Sequence, residues 1–324
     1  LTKRGDSLIT GEKNRALAQW AFFTLLVAVV FLAGIYLPPL YFMATILLPL
    51  PVIMLVLRFD IRYAALGLTA AMFLVLLITR NMEAAFYVLQ FGLLGICYGL
   101  LFKNRVAPGK NIAAGILCSV GLTLFSAAGF YLLTGSSPFV LGEEGRQAAE
   151  QWLAANQSAG LFNDLPAEWQ ESFGESMIAT FELLIPGQYI VTAAAEAAFT
   201  YLVAAAYLRR INYFLPPSTA FTALSLPWYS VWGLITGLAL TLAGDLFSWA
   251  PAAKIGKNIL FILFYLYLVL GFSVSAYFFR KVNLAKPIKF FLLILSAVYL
   301  PFSIIIILLL GVVDPLVNLR RLQP

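Results

Sequence analysis

The 324 residues are 62% hydrophobic and 11% charged, with a mean hydropathy of +0.91, which excludes a water-soluble domain of this length. The net charge of +6 sits mainly in short clusters at the ends of apolar segments, so it is a topology signal and no nucleic-acid partner is expected. Histidine is absent, which removes imidazole bases, Ser-His-Asp and Cys-His arrangements and His metal ligands together. The expected class is all-α: a polytopic transmembrane helix bundle of about nine spans.

Residues 1–16 form a basic arm with Lys3, Arg4, Lys13 and Arg15. The apolar run Leu17 to Tyr36 has no small-residue cleavage site before Pro38 and Pro39, so it is expected to be a retained helix and not a cleaved leader. The second run, Leu40 to Leu57, contains Pro49 and Pro51 and should be kinked or broken midway. Arg58, Asp60 and Arg62 form a charged turn before the third run, Tyr63 to Thr79. Two readings fit that turn: solvated charges, or an ion pair fixing the hairpin, with partner docking as a lesser alternative.

The fourth span, Ala84 to Phe102, carries Tyr87, Gln90 and the small pair Gly95 and Gly99. Lys103, Arg105 and Lys110 follow it. The fifth, Asn111 to Thr134, places Ser119, Thr123 and Ser126 at helical spacing. Cys97 and Cys118 lie inside these two apolar runs without metal-type spacing, so reduced, buried thiols are expected.

Residues 135–186 are acidic, with Glu143, Glu144, Glu150, Asp164, Glu168, Glu171, Glu175 and Glu182 against Arg146. Two amphipathic helices, Glu143 to Gln157 and Pro166 to Leu184, are expected to lie over the membrane mouth. The second puts Trp169, Phe173, Met177 and Phe181 on one face.

The sixth span, residues 187–210, carries Gln188, Thr192, Glu196 and Thr200 at every fourth position, which makes one polar stripe on a helix. An intramembrane carboxylate is costly and is normally turned toward protein or water. Glu196 therefore reads as a substrate or ion ligand or a proton carrier, or else as a protonated group that bonds a neighbouring helix. Residues 211–227 are a Pro- and aromatic-rich linker, and three further spans follow at Trp228 to Phe247, Asn258 to Phe279 and Ile288 to Val313, before a tail at 314–324.

With the N-terminus cytoplasmic, fifteen of the 21 Lys and Arg fall inside. Arg80, Arg146, Lys254, Lys257, Arg320 and Arg321 fall outside, and the acidic segment becomes extracellular. The last pair is the weak point of this count, and a final helix that dips back would bring it inside. No Walker loop, HExxH or CxxC is present, so neither an enzyme nor a cofactor or metal site is expected.

Several short motifs, taken in order, resemble a known group: the Pro-broken second span running into Arg58-Phe59-Asp60-Ile61-Arg62-Tyr63, Leu226-Pro227-Trp228, Gly271-Phe272-Ser273, and Leu310-Gly311-Val312-Val313-Asp314 with Asn318-Leu319-Arg320. Together they look like the YybS-like family of bacterial membrane proteins. That family is similar, over six helices, to the substrate-binding S components of energy-coupling factor (ECF) transporters. The resemblance implies that residues 17–210 form a six-helix bundle binding a vitamin-like molecule or ion near its outer face, driven by a membrane coupling protein with two ATPases. The first span lacks the Ala-xxx-Ala docking pattern of S components, and residues 211–324 add three helices that they do not have. The expected outward-facing site lies between the fourth, fifth and sixth spans, lined by Gln90, Tyr87, Ser119, Thr123, Gln188, Thr192, Glu196 and Thr200. The competing expectation is a membrane scaffold or sensor acting through its acidic and basic loops. An enclosing polar cavity around Glu196 favours the first, and a single side-chain partner in a dry core favours the second.

Overall fold

A computed structural model of the chain describes residues 2–135, 137–158, 167–217, 220–283 and 285–321. Among them the only regular elements are helices, and nine stretches are long and apolar enough to cross a membrane. The chain divides into two compact units, one of Leu1–Ser136 with Thr192–Ser218 and one of Ser137–Val191 with Thr219–Pro324.

The first unit begins with α1 (Thr2–Tyr36), whose helix takes in the basic arm as well as the apolar run. After Pro38 and Pro39 come α2 (Tyr41–Leu47) and α3 (Pro49–Phe59), so the prolines of the second span interrupt its helical hydrogen bonding at Leu48, whose own dihedrals stay helical. Next are α4 (Ile61–Thr79), α5 (Met82–Lys103) and α6 (Pro108–Thr134). Helix α5 sits deep because its small residues admit neighbours: Gly95 lies against Pro49 and Val52, Gly99 against Val56, and Gly92 against Leu68. Asn81 caps α5 by accepting from the Glu83 amide at 2.7 Å. Tyr98, fully buried, donates its hydroxyl to the Ala197 carbonyl at 2.8 Å, stacks on Phe102 and lies tilted against Tyr201.

The second unit starts with the amphipathic α7 (Glu143–Ser158), and α8 (Ala167–Arg210) then supplies residues to both units. The expected boundary at Pro186 and Gly187 is absent, because α8 runs through the proline as one helix of 44 residues. Asn258 explains why. Its Oδ1 accepts from the Gly187 amide at 2.6 Å, and its Nδ2 donates to the carbonyls of Leu183 and Lys254, both at 2.8 Å. The side-chain amide thus bridges the backbone groups beside the proline ring and keeps both partners satisfied.

Helices α9 (Val231–Leu246) and α10 (Ala250–Lys281) form an antiparallel hairpin, with Gly244 against Ala253 and Gly237 against Leu260. The expected ninth span is divided at Tyr299 into α11 (Lys286–Val298) and α12 (Leu300–Val317). Pro301 is the cause, since it lacks the N–H that a continuous helix would need there. Helix α11 has 13 residues and none buried, and at about 1.5 Å per residue it spans some 20 Å, short of a hydrocarbon core.

Helix α12 runs parallel to α10. Gly271 meets Ile307 and Gly311 meets Tyr267, and further along both helices Arg320 reaches Ser273 at 2.9 Å. The Tyr277 hydroxyl also donates to the Arg320 carbonyl at 3.5 Å. Arg320 and Arg321 therefore end on the side where α10 ends at Arg280 and Lys281, which corrects the expectation that placed them opposite. Arg320 is buried. It pairs with Asp314 at 2.7 Å and donates to the carbonyls of Thr222 and Leu224, tying the linker to α10 and α12.

Candidate functional site

Within the second unit, the amphipathic α7 lies against residues 177–188 of α8. Between them is a cavity of about 310 Å³ lined by Leu141, Ala149, Trp152, Leu153, Met177, Ile178, Phe181, Ile185 and Gln188. Eight of these side chains are apolar and Gln188 supplies an amide. Arg146 and Glu182 approach to 3.9 Å on the same two helices. Phe139 packs edge-on to Tyr189, with ring centroids 5.7 Å apart. Asn258, by holding the backbone of Leu183 and Gly187, fixes the turn of α8 that presents Ile185 and Gln188. A pocket of this size and lining suits an apolar small molecule oriented by a few polar groups. Met177 and Phe181, expected on one face, both line it; the side chains of Trp169 and Phe173, and those of Glu144, Asp164, Glu168, Glu171 and Glu175, lie outside the described residues.

The other expected site residues fall into separate places in the first unit. Gln90 Nε2 donates to Thr123 Oγ1 at 2.9 Å, joining α5 to α6. Ser119 is buried one turn away on α6, and Tyr87 is exposed and engaged with a neighbour. Glu196 is buried beside the Thr45 hydroxyl of α2, and Thr200 Oγ1 donates to the Ile46 carbonyl at 3.3 Å. Glu196 and Thr200 thus face the broken second span, whereas Thr192 is exposed. Glu196 lines neither of the two described cavities. The second cavity, of about 230 Å³, is bounded by Phe23, Leu26, Val30, Leu47, Leu50, Pro51, Met54 and Tyr207 and carries no charge.

At the charged turn, Asp60 pairs with Lys103 Nζ at 2.9 Å and so ties the α3–α4 turn to the end of α5. Arg58 donates to Gln19 at 3.3 Å and lies over the Phe23 ring, 5.4 Å from its centroid. The Asp60 carboxyl is held below its ordinary pKa by the Lys103 hydrogen bond first, and then by the Ile61 amide and the Lys103 charge. Asp60 also adopts φ +94°, a region that L residues rarely occupy. Cys97 and Cys118 are half-buried free thiols in hydrogen-bonding contact. Among the described residues no group of three or more Cys, Asp or Glu is gathered as a metal site.

The long apolar helices and buried polar contacts between them define an α-helical, multi-pass integral membrane protein that sits in the lipid bilayer. The family model described as "Predicted membrane protein (DUF2232)" matches residues 25–315, and the chain belongs to that family. No curated protein and no solved structure matches the chain.

Proposed function

We propose that the chain is a non-enzymatic binding subunit for transport of a small, largely apolar molecule across a bacterial cell membrane. The single observation that carries this reading is the cavity between α7 and α8, whose eight apolar side chains and one amide match a ligand pocket rather than a hydrated pore. The N-terminus is cytoplasmic in this reading. Arg320 and Arg321 join the basic inner side, which leaves Arg80, Arg146, Lys254 and Lys257 outside and strengthens the charge bias. Helix α7 then faces the exterior, as an outward-facing entrance requires. The YybS-like and S-component resemblance supports the same reading and adds an ATPase-driven coupling module as partner; no cofactor or nucleic acid is part of it.

Native mass spectrometry of gently purified protein tests the proposal. Retention of a molecule of a few hundred daltons supports binding, and a co-purifying ATPase pair supports the coupled form. A carrier that binds the molecule but brings down no ATPase acts on its own. Protein that retains nothing and binds no apolar compound contradicts the proposal.

The scaffold or sensor reading draws its support from Glu196, which lies beside Thr45 and outside both cavities.

A further inference from the structure

Glu196 lies within the membrane-spanning part of α8, 8% exposed, and no ion pair involves it among the described residues. Its polar neighbour is Thr45, which is 2% exposed, stands two residues before the end of α2 and donates its hydroxyl to the Phe42 carbonyl at 2.9 Å. One turn along α8, Thr200 is fully buried and donates to the Ile46 carbonyl. The helical hydrogen bonding is interrupted here, where α2 stops at Leu47 and α3 starts at Pro49, while Leu48 between them keeps helical dihedrals of φ −57° and ψ −39°. Pro49 and Pro51 have no N–H, so the carbonyls of Thr45 and Leu47, four residues earlier, receive no helical hydrogen bond from them.

The groups brought together are one carboxyl, two buried hydroxyls and the carbonyls that Pro49 and Pro51 leave without a helical donor. All are oxygens, the donor type that hard cations take. The charge balance selects the valence. A lone carboxylate in hydrocarbon is costly, one monovalent cation cancels it, and a divalent ion would leave an equally costly positive charge. Carbonyls that proline leaves without a helical donor, beside a buried carboxyl, are oxygens that an ion can use.

We propose that the α2–α3 break and the facing turn of α8 form a monovalent-cation site, in which Glu196 supplies the charge and Thr45, Thr200 and backbone carbonyls supply neutral oxygens to one sodium ion. Ion binding there would link α2 to α8 through shared ligands, and so would stabilise the folded chain. This inference does not depend on the cavity under α7: mass spectrometry reads that site, and the ion response reads this one.

The test is thermal unfolding of the full chain in detergent at fixed pH and ionic strength, with sodium chloride replacing N-methylglucamine chloride in steps. The expected result is a saturable rise in Tm for the wild type and for the exposed-site control Asp245→Asn, and no rise for Glu196→Gln. Thr200→Val keeps the shape of the side chain and is expected to raise the half-saturating sodium concentration about tenfold. It decides the question if Glu196→Gln does not fold. A wild-type Tm indifferent to sodium overturns the proposal, and so does an equal response in Glu196→Gln or an unchanged half-saturation in Thr200→Val. Loss of the response below a pH that protonates a carboxyl is expected, whereas a pH dependence without any sodium dependence identifies a protonated packing group and overturns the site.

Discussion

Asn258 shows how one residue can decide the course of a helix that its own sequence suggests should end. Pro186 and Gly187 carry an ordinary stop signal, and the sequence offers no local reason to ignore it. The reason lies 71 residues away, in an amide that bonds Gly187 and Leu183. Asn258→Ala is expected to destabilise the fold by about 1–3 kcal/mol, the cost of leaving buried backbone groups unpaired. Denaturant unfolding would read that loss, and increased exchange of the Gly187 amide would locate it.

Asp60 offers a pH-dependent prediction at the same scale. Its folded pKa is depressed, so the unfolded chain binds the proton more tightly. The contribution is complete above about pH 4, the ordinary value for Asp, and is lost as the pH falls through the folded value. Wild type is expected to unfold at a slightly higher Tm than Asp60→Asn at neutral pH, with the gap closing on acidification; the pair is exposed, so the gap is small.

At the scale of elements, periodicity located most of the spans, because each must be apolar over its length whatever it packs against. Glu196 and the two prolines of the second span were visible as exceptions to that rule. Their meeting was not, since nothing in either segment says that α8 faces α2. Gln90 and Thr123 likewise read as two separate polar residues, and only packing makes them a pair. Pro301 was the overlooked signal in the last run, where a missing N–H outweighed an otherwise unbroken apolar pattern.

The α10–α12 contact needs glycine at two positions. A Cβ on Gly271 would strike the Ile307 carbonyl, and one on Gly311 would strike Tyr267. Gly271→Ala is expected to cost about 1–3 kcal/mol by forcing the two helices apart. Arg320→Ala should cost more, about 3–5 kcal/mol, because it strands Asp314 in a buried position. Both losses would appear as lower denaturant midpoints, and Arg320→Ala should also expose residues 220–224 to protease.

For the whole molecule, composition alone excluded a soluble fold, and the charge clusters supplied the expected direction of the spans. The side of the C-terminus needed the structure, because the division at Tyr299 changes how many times the chain turns back. Cysteines placed at Lys281 and Arg321, in protein lacking Cys97 and Cys118, are expected to react with a membrane-impermeant thiol reagent from the same side. A cysteine at Asp245 should react from the other. Labelling of positions 281 and 321 from opposite sides would contradict the parallel course of α10 and α12.

If the cavity between α7 and α8 holds a small apolar molecule, filling that cavity removes the molecule. Ala149 lines the space on α7, and Ala149→Trp would occupy much of it while leaving Gln188 and Asn258 in the sequence. Mass spectrometry of wild type and variant, purified side by side, is expected to find a retained small molecule in the wild type that is missing from a folded Ala149→Trp protein. Equal retention in both would contradict the claim.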